Sequence, residues 1–123
     1  MIAQQTILHQ PVPQLPVKDV EEAQQYYKDK LGFEISWITP DKYVGAVARG
    51  EIGIFFAKTQ TITPNFHWIF ADDVELAYTE LKNSGANIVE DIEDKPWKTR
   101  QFAIEDINGH IFYIFHDLQS MAE

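Results

Sequence analysis

Lys95-Pro96-Trp97-Lys98-Thr99-Arg100-Gln101-Phe102-Ala103-Ile104-Glu105-Asp106-Ile107-Asn108-Gly109-His110-Ile111-Phe112-Tyr113-Ile114-Phe115-His116 is the stretch whose reading decides the fold. An apolar run up to Ile104 and a second from Ile111 to Phe115 flank Glu105-Asp106-Ile107-Asn108-Gly109. Asn-Gly between two such runs is the strongest short-range turn signal, so the stretch reads as a β-hairpin. Ahead of it, Pro96-Trp97 sets a large aromatic at the lip of the surface that the hairpin builds.

The rest of the 123 residues bounds what that hairpin belongs to. With 45% hydrophobic and 24% charged residues the composition is that of one ordinary globular domain, not of a disordered chain. No apolar run reaches membrane-spanning length, and Met1-Ile2-Ala3-Gln4-Gln5 lacks the basic-then-apolar plan of a signal peptide. The absence of cysteine excludes disulfides, thiolate metal sites and a cysteine nucleophile, and the expected location is the cytoplasm. A net charge of -9 without any Lys/Arg cluster argues against nucleic acid, which demands a basic stripe. The acidic run Glu90-Asp91-Ile92-Glu93-Asp94 is expected to be a solvated loop, with attraction of a cationic ligand as the sharper alternative.

Working outward to the N-terminus, Gln10-Pro11-Val12-Pro13-Gln14-Leu15-Pro16-Val17 predicts an interrupted strand, preceded by residues 1–9 as an arm. Asp19 is a good helix N-cap with Glu22 at the capping-box position. Val20, Ala23, Tyr27 and Leu31 recur at helical spacing, and Gly32 stops the helix. Phe33 to Ile38 alternates as a strand, and 43–48 with 52–56 form a hairpin about Arg49-Gly50-Glu51. After a linker-like segment, 57–65, the programme restarts. Phe66 to Phe70 is a strand, Asp73 begins a helix ending near Gly85, and Asn87-Ile88-Val89 is short and extended. Asp19-Val20-Glu21-x-Ala23 matches Asp73-Val74-Glu75-x-Ala77, with Lys28 matching Lys82 at the same offset. Strand, helix, strand, strand, strand therefore occurs twice, which predicts an α+β fold of two β-α-β-β-β modules. Module one spans about 10–57, the linker 58–65 and module two about 66–118, all in one domain. Each module has a helix for one sheet face only, and the faces left free are expected to be buried together or to take a ligand.

The ordered set of segments resembles the glyoxalase/bleomycin-resistance/dioxygenase superfamily, the vicinal-oxygen-chelate fold. The resemblance runs over nearly the whole chain. It includes Pro16-Val17-x-Asp19-Val20 leading into Tyr26-Tyr27-Lys28-Asp29-x-Leu31-Gly32-Phe33, then Tyr43-Val44-Gly45, the strand holding Trp68, and Pro96-Trp97-x-x-Arg100-x-Phe102. Within the superfamily the chain is most similar to bleomycin-resistance proteins, which bind and sequester a drug without chemistry. It departs from them at Lys98, where glycine is usual, at Ile107, where proline is usual, and at His110, where asparagine is common. Lys98 brings positive charge to the aromatic lip, which weakens the expectation of a cationic ligand. The resemblance also implies a two-fold homodimer.

The superfamily's enzymes hold a divalent ion with His and Glu from facing strands. The matching positions here fall on Val12, near Ile54, on His67 and on Tyr113, so His67 alone keeps a ligand. A lone imidazole cannot hold Mg²⁺, Mn²⁺ or Zn²⁺ tightly, since catalytic sites need about three protein ligands. His67 is therefore expected to be a polar group on a cavity wall, with no metal or other cofactor. Ser36, Ser84 and Ser120 lie in no nucleophile-elbow pattern, and no glycine-rich phosphate loop is present. Asp72-Asp73 and Glu105-Asp106 suit caps and turns better than a two-carboxylate site. No catalytic constellation emerges.

Strand parity assigns faces, because successive side chains point oppositely. The expectation is that His67 and Ile69 face a cavity while Phe66, Trp68 and Phe70 pack behind the sheet against a helix. Tyr113, with Ile111 and Phe115, is placed on the cavity side, and Ile52, Ile54 and Phe56 on the matching wall. The residues expected to bind a ligand are Trp37, Tyr43, Ile54, His67, Trp97, Phe102 and Tyr113. A flat conjugated molecule would stack on Trp97, Trp37 or Tyr43. The leading function is metal-independent small-molecule binding. A metal-dependent lyase, isomerase or dioxygenase is the rival, and a dimeric scaffold with a vestigial cavity the third reading.

Overall fold

The computed structural model describes residues 3–118. Ser120 and the first two residues of the predicted arm lie outside them. The elements are β1 (Gln14–Val17), α1 (Val20–Leu31), β2 (Glu34–Ile38), β3 (Val44–Arg49) and β4 (Ile52–Lys58), then β5 (Phe66–Phe70), α2 (Val74–Asn83), β6 (Asn87–Asp94), β7 (Thr99–Glu105) and β8 (Ile111–Asp117). They form two four-stranded sheets of the same plan, ordered β1-β4-β3-β2 and β5-β8-β7-β6. In each, the strand before the helix pairs parallel to the last strand, and the remaining contacts are antiparallel. The fold is α+β with two β-α-β-β-β units, as the repeat predicted.

Local chemistry accounts for the helix limits. Asp19 sits in extended backbone and accepts the Glu22 N–H at 2.9 Å, and Gly32 closes α1 at φ +77° with its N–H on the Tyr27 carbonyl. Asp73 repeats the cap on α2, accepting the Leu76 N–H at 3.0 Å. Two strand limits differ from expectation. Pro11 and Pro13 leave the first strand only Gln14–Val17, with residues 3–10 outside any strand or helix. Conversely β6 runs through Asp94, so the acidic run is an edge strand and not a loop. Its charges find partners: Tyr78 Oη donates to Asp91 at 2.5 Å, Lys95 reaches Glu90 and Glu93, and Arg100 reaches Asp94 at 2.8 Å.

One apolar cluster serves both units. Tyr27 of α1 packs edge-on against Phe33 and Phe56 of its own unit and Phe112 of the other, while Tyr78 of α2 packs edge-on against Phe102. A polar seam fastens the β7–β8 turn to the first unit. Asp106 accepts the Asn108 and His110 N–H groups at 2.8 and 2.9 Å on one oxygen, and the Tyr27 hydroxyl at 2.5 Å on the other. His110 is fully buried. Its Nδ1 accepts the Asn65 N–H at 2.9 Å, so Nε2 carries the proton and donates to the Pro16 carbonyl at 2.7 Å. Burial, and then the negative charge of Asp106, push the Tyr27 hydroxyl well above the ordinary tyrosine value.

Candidate functional site

Register decides which side chains share a face. In the second sheet Trp68 lies beside Tyr113, Phe70 beside Phe115, and His67 beside Phe112. Ala103 pairs with Tyr113, and Phe102 with Ile114. His67 and Tyr113 therefore point to opposite faces, and the parity expectation that joined them is corrected. His67, Ile69, Phe102, Phe112 and Ile114 belong to the helix-covered side. Phe66, Trp68 and Phe70 do not pack behind the sheet; they stand 61%, 52% and 56% exposed on the helix-free side. The alternation of Phe66 to Phe70 shows that the strand has two faces but not which one α2 covers.

The helix-free face is an aromatic platform. Trp68 stacks on Tyr113 with centroids 4.6 Å apart and planes 24° apart, and Phe115 meets Trp68 edge-on at 5.6 Å. The small Ala103 opposite Tyr113 keeps the platform low there. At its margin Trp97 is held by a polar relay. The Trp97 indole N–H and the Thr99 hydroxyl both donate to Gln101 Oε1, at 3.3 and 2.7 Å, and Gln101 Nε2 donates to Glu90 at 3.4 Å. Lys95 Nζ stands 5.7 Å from the Trp97 ring centre while paired with Glu93 and Glu90. Gln101 is buried, so this relay is part of the scaffold and fixes the exposed ring. Lys98 turns the chain at φ +77°.

The first sheet presents a smaller helix-free face. The β2–β3 register slips between Ile35 and Trp37, setting Ile35 beside Val47 and Trp37 beside Ala46. The slip carries Trp37 to the side opposite Val47, where it meets Phe55 edge-on at 5.3 Å. Gln24 of α1 holds the irregularity by donating to the Trp37 and Ala46 carbonyls at 2.8 and 3.1 Å. Tyr43 is exposed under Lys58, whose Nζ is 5.4 Å from the ring centre.

Of the residues predicted to bind a ligand, Trp37, Tyr113 and Trp97 stand on or beside helix-free faces, and Tyr43 is exposed at the start of β3. Ile54 and Phe102 are core residues, 1% and 0% exposed. His67 is half-buried on the helix side, and its Nε2 is buried with no hydrogen-bond partner. Burial, and then the nearby His110, hold its pKa below the ordinary histidine value, which favours the neutral ring. Sequence reasoning missed Trp68 and Gln101 as site residues, while Phe115 was placed on the same side as Tyr113 without being counted as a ligand contact. Gln101 has a legible signal, four residues after Trp97 inside the same motif; Trp68 depends on the parallel β5–β8 register, which no local pattern encodes.

Residues 7–114 match the family described as the Glyoxalase/Bleomycin resistance protein/Dioxygenase superfamily. The chain belongs to that superfamily. Solved structures share the fold. TioX from Micromonospora sp. ML1 superposes with a TM-score of 0.78 at 20% identity, over 89% of this chain and 100% of that one. A bleomycin-binding protein complexed with bleomycin gives 0.78 at 20% identity, over 89% and 99%. A glyoxalase-related enzyme from Clostridium phytofermentans gives 0.77 at 16% identity, over 94% and 100%. No curated protein sequence matches significantly.

The superfamily's divalent ion can be tested against the donors present. Tyr113 lies on the platform, His67 and Ile54 lie on the other side of their sheets, and Val12 precedes β1. Among the described residues no group of three or more His, Asp or Glu side chains converges. The residues at these positions do not fit a divalent ion.

Proposed function

We propose that this superfamily member is a metal-independent small-molecule binding protein that sequesters an aromatic ligand, in the manner of a drug-resistance protein, in the cytoplasm. The observation that carries the reading is the Trp68–Tyr113–Phe115 platform with Trp97 fixed at its margin. Exposed aromatic surface of this extent is costly in water unless it meets a partner. A flat conjugated ligand meets it by stacking. The resemblance to a protein solved with bleomycin supports the class of ligand. We further propose a two-fold homodimer, in which a second copy gives the helix-free faces a partner and closes the ligand groove.

Titration with bleomycin and a panel of planar aromatics, followed by tryptophan fluorescence and calorimetry, tests the reading. Saturable quenching is expected, weakened about tenfold or more in Trp68→Ala and Tyr113→Ala. Absence of saturable binding across the panel refutes sequestration, and stoichiometric metal found after growth with added ions refutes metal independence.

A further inference from the structure

The platform does not account for a space on the opposite side of the sheets. Between the two units lies an apolar cavity of about 200 Å³, walled by Leu31, Ile52, Ile54, Ile69, Leu81 and Phe112, with Ala77 of α2 also on its wall. Arg49 is its one charged lining residue, and that guanidinium is already engaged by the Leu31 carbonyl and Glu80, each at 2.8 Å. A second, more open chamber of about 840 Å³ shares Arg49, Ile52, Ile54, Ile69, Phe70 and Phe112 with the first, and Trp68 also touches it. His67, Glu51 and Asp72 line it. His67 Nε2 is buried and unpartnered among the described residues.

We propose that this inter-unit space is a second ligand site, for a compact uncharged molecule with an apolar body and one hydroxyl group, such as a phenol or a monocyclic alcohol. Size sets the body: an apolar cavity of about 150 Å³ is enough to hold benzene. Charge excludes anions, because Glu51 and Asp72 face the outer chamber and Arg49 is occupied. Cations are excluded by the inner wall, which offers no anionic partner. A turn of the His67 ring that opens Nε2 to the outer chamber lets the hydroxyl satisfy it, because a neutral imidazole nitrogen accepts or donates according to tautomer and a hydroxyl does either. The inner cavity is separate from the platform stack, since neither Trp68 nor Tyr113 lines it; Trp68 reaches only the outer chamber, and Tyr113 lines neither.

The probes are p-cresol and p-xylene, which differ by the hydroxyl, added to the full-length protein under amide and methyl NMR. Expected are saturable shifts at Ile54, Ile69 and Leu81 with p-cresol, leaving the Tyr113 amide unmoved. Ala77→Leu, which fills the inner cavity, should abolish them while thermal stability is kept. His67→Phe should weaken p-cresol about tenfold and leave p-xylene unchanged, the tenfold corresponding to about 1.4 kcal/mol for one hydrogen bond. Shifts confined to Trp68 and Tyr113, no saturation in the wild-type protein, or equal loss of both probes in His67→Phe would each overturn the proposal. Because the wild-type shift map needs no variant, a folding failure of Ala77→Leu leaves the proposal decidable. Loss of platform binding in Tyr113→Ala with these shifts intact separates this site from the function proposed above.

Discussion

His67 combines burial with a missing partner, and the consequence is a pH dependence whose sign can be worked out. Its pKa in the folded chain lies below 6.5, while the unfolded chain binds the proton near that ordinary value. The unfolded state therefore holds more protons in the interval between the two values. Stability is complete above about pH 6.5 and is lost as pH falls through that interval. Replacing His67 by Phe should flatten the decline of the urea midpoint between about pH 7 and pH 5; an unchanged decline would remove His67 as its cause. Tyr27 offers a second residue-level test. Tyr27→Phe strips Asp106 of its hydroxyl donor in a buried seam and should cost about 1–3 kcal/mol in denaturant unfolding. At Lys98, φ +77° is a conformation in which a side chain is strained, and glycine relieves it. Lys98→Gly is expected to raise stability by up to about 1 kcal/mol, seen as a higher melting temperature.

Among the elements, α1 and the sheet beneath it illustrate what a sequence encodes locally and what it does not. Asp19, Glu22 and Gly32 made both helix ends legible, because capping depends on neighbours within a turn. The β7–β8 hairpin was equally legible, since Asn108-Gly109 and its flanking alternation are contiguous. The extent of β6 was not: Glu90 to Asp94 carry loop-like charges, and only partners remote in sequence (Lys95, Arg100 and Tyr78) let them lie along a strand edge. The slip between Ile35 and Trp37 was invisible for the same reason, being held by Gln24 from another element. At Gly45 α1 lies close against the sheet. A Cβ added there would sit 2.6 Å from Val20 Cγ1 and 2.8 Å from Gln24 Nε2. Gly45→Ala should therefore cost about 1–3 kcal/mol and shift Trp37 fluorescence, since it displaces the clamp beneath that ring. An unperturbed Trp37 would show that Gln24 does not position it.

For the whole molecule, repetition was the readable feature. Matching helix starts and a common element order led to two β-α-β-β-β units, and both sheets have the same strand order. The candidate binding face was not readable, because face assignment needs the parallel β5–β8 register and knowledge of which side each helix covers. Reversing that one choice moves Trp68 from core to surface and His67 from cavity wall to the helix side. If a second copy covers the platform, sedimentation should report a two-fold dimer at micromolar concentration, and Trp68→Lys should shift it towards monomer. A monomer at all concentrations would leave the platform to the ligand alone.

The seam between the turn and the first unit also has a bearing on how the chain is made. Tyr27 and Asp106 are 79 residues apart, and Pro16 and His110 are 94 apart. During synthesis the first sheet and α1 emerge with the Tyr27 hydroxyl and the Pro16 carbonyl still waiting for partners encoded 79 and 94 residues later. Contacts this distant form late and slowly. Nascent chains arrested before Asp106 leaves the ribosome should remain protease-sensitive in α1, and release of the last hairpin should protect both units together, measured by limited proteolysis of arrested and released chains. Completion of the fold is thereby tied to the emergence of the β7–β8 hairpin.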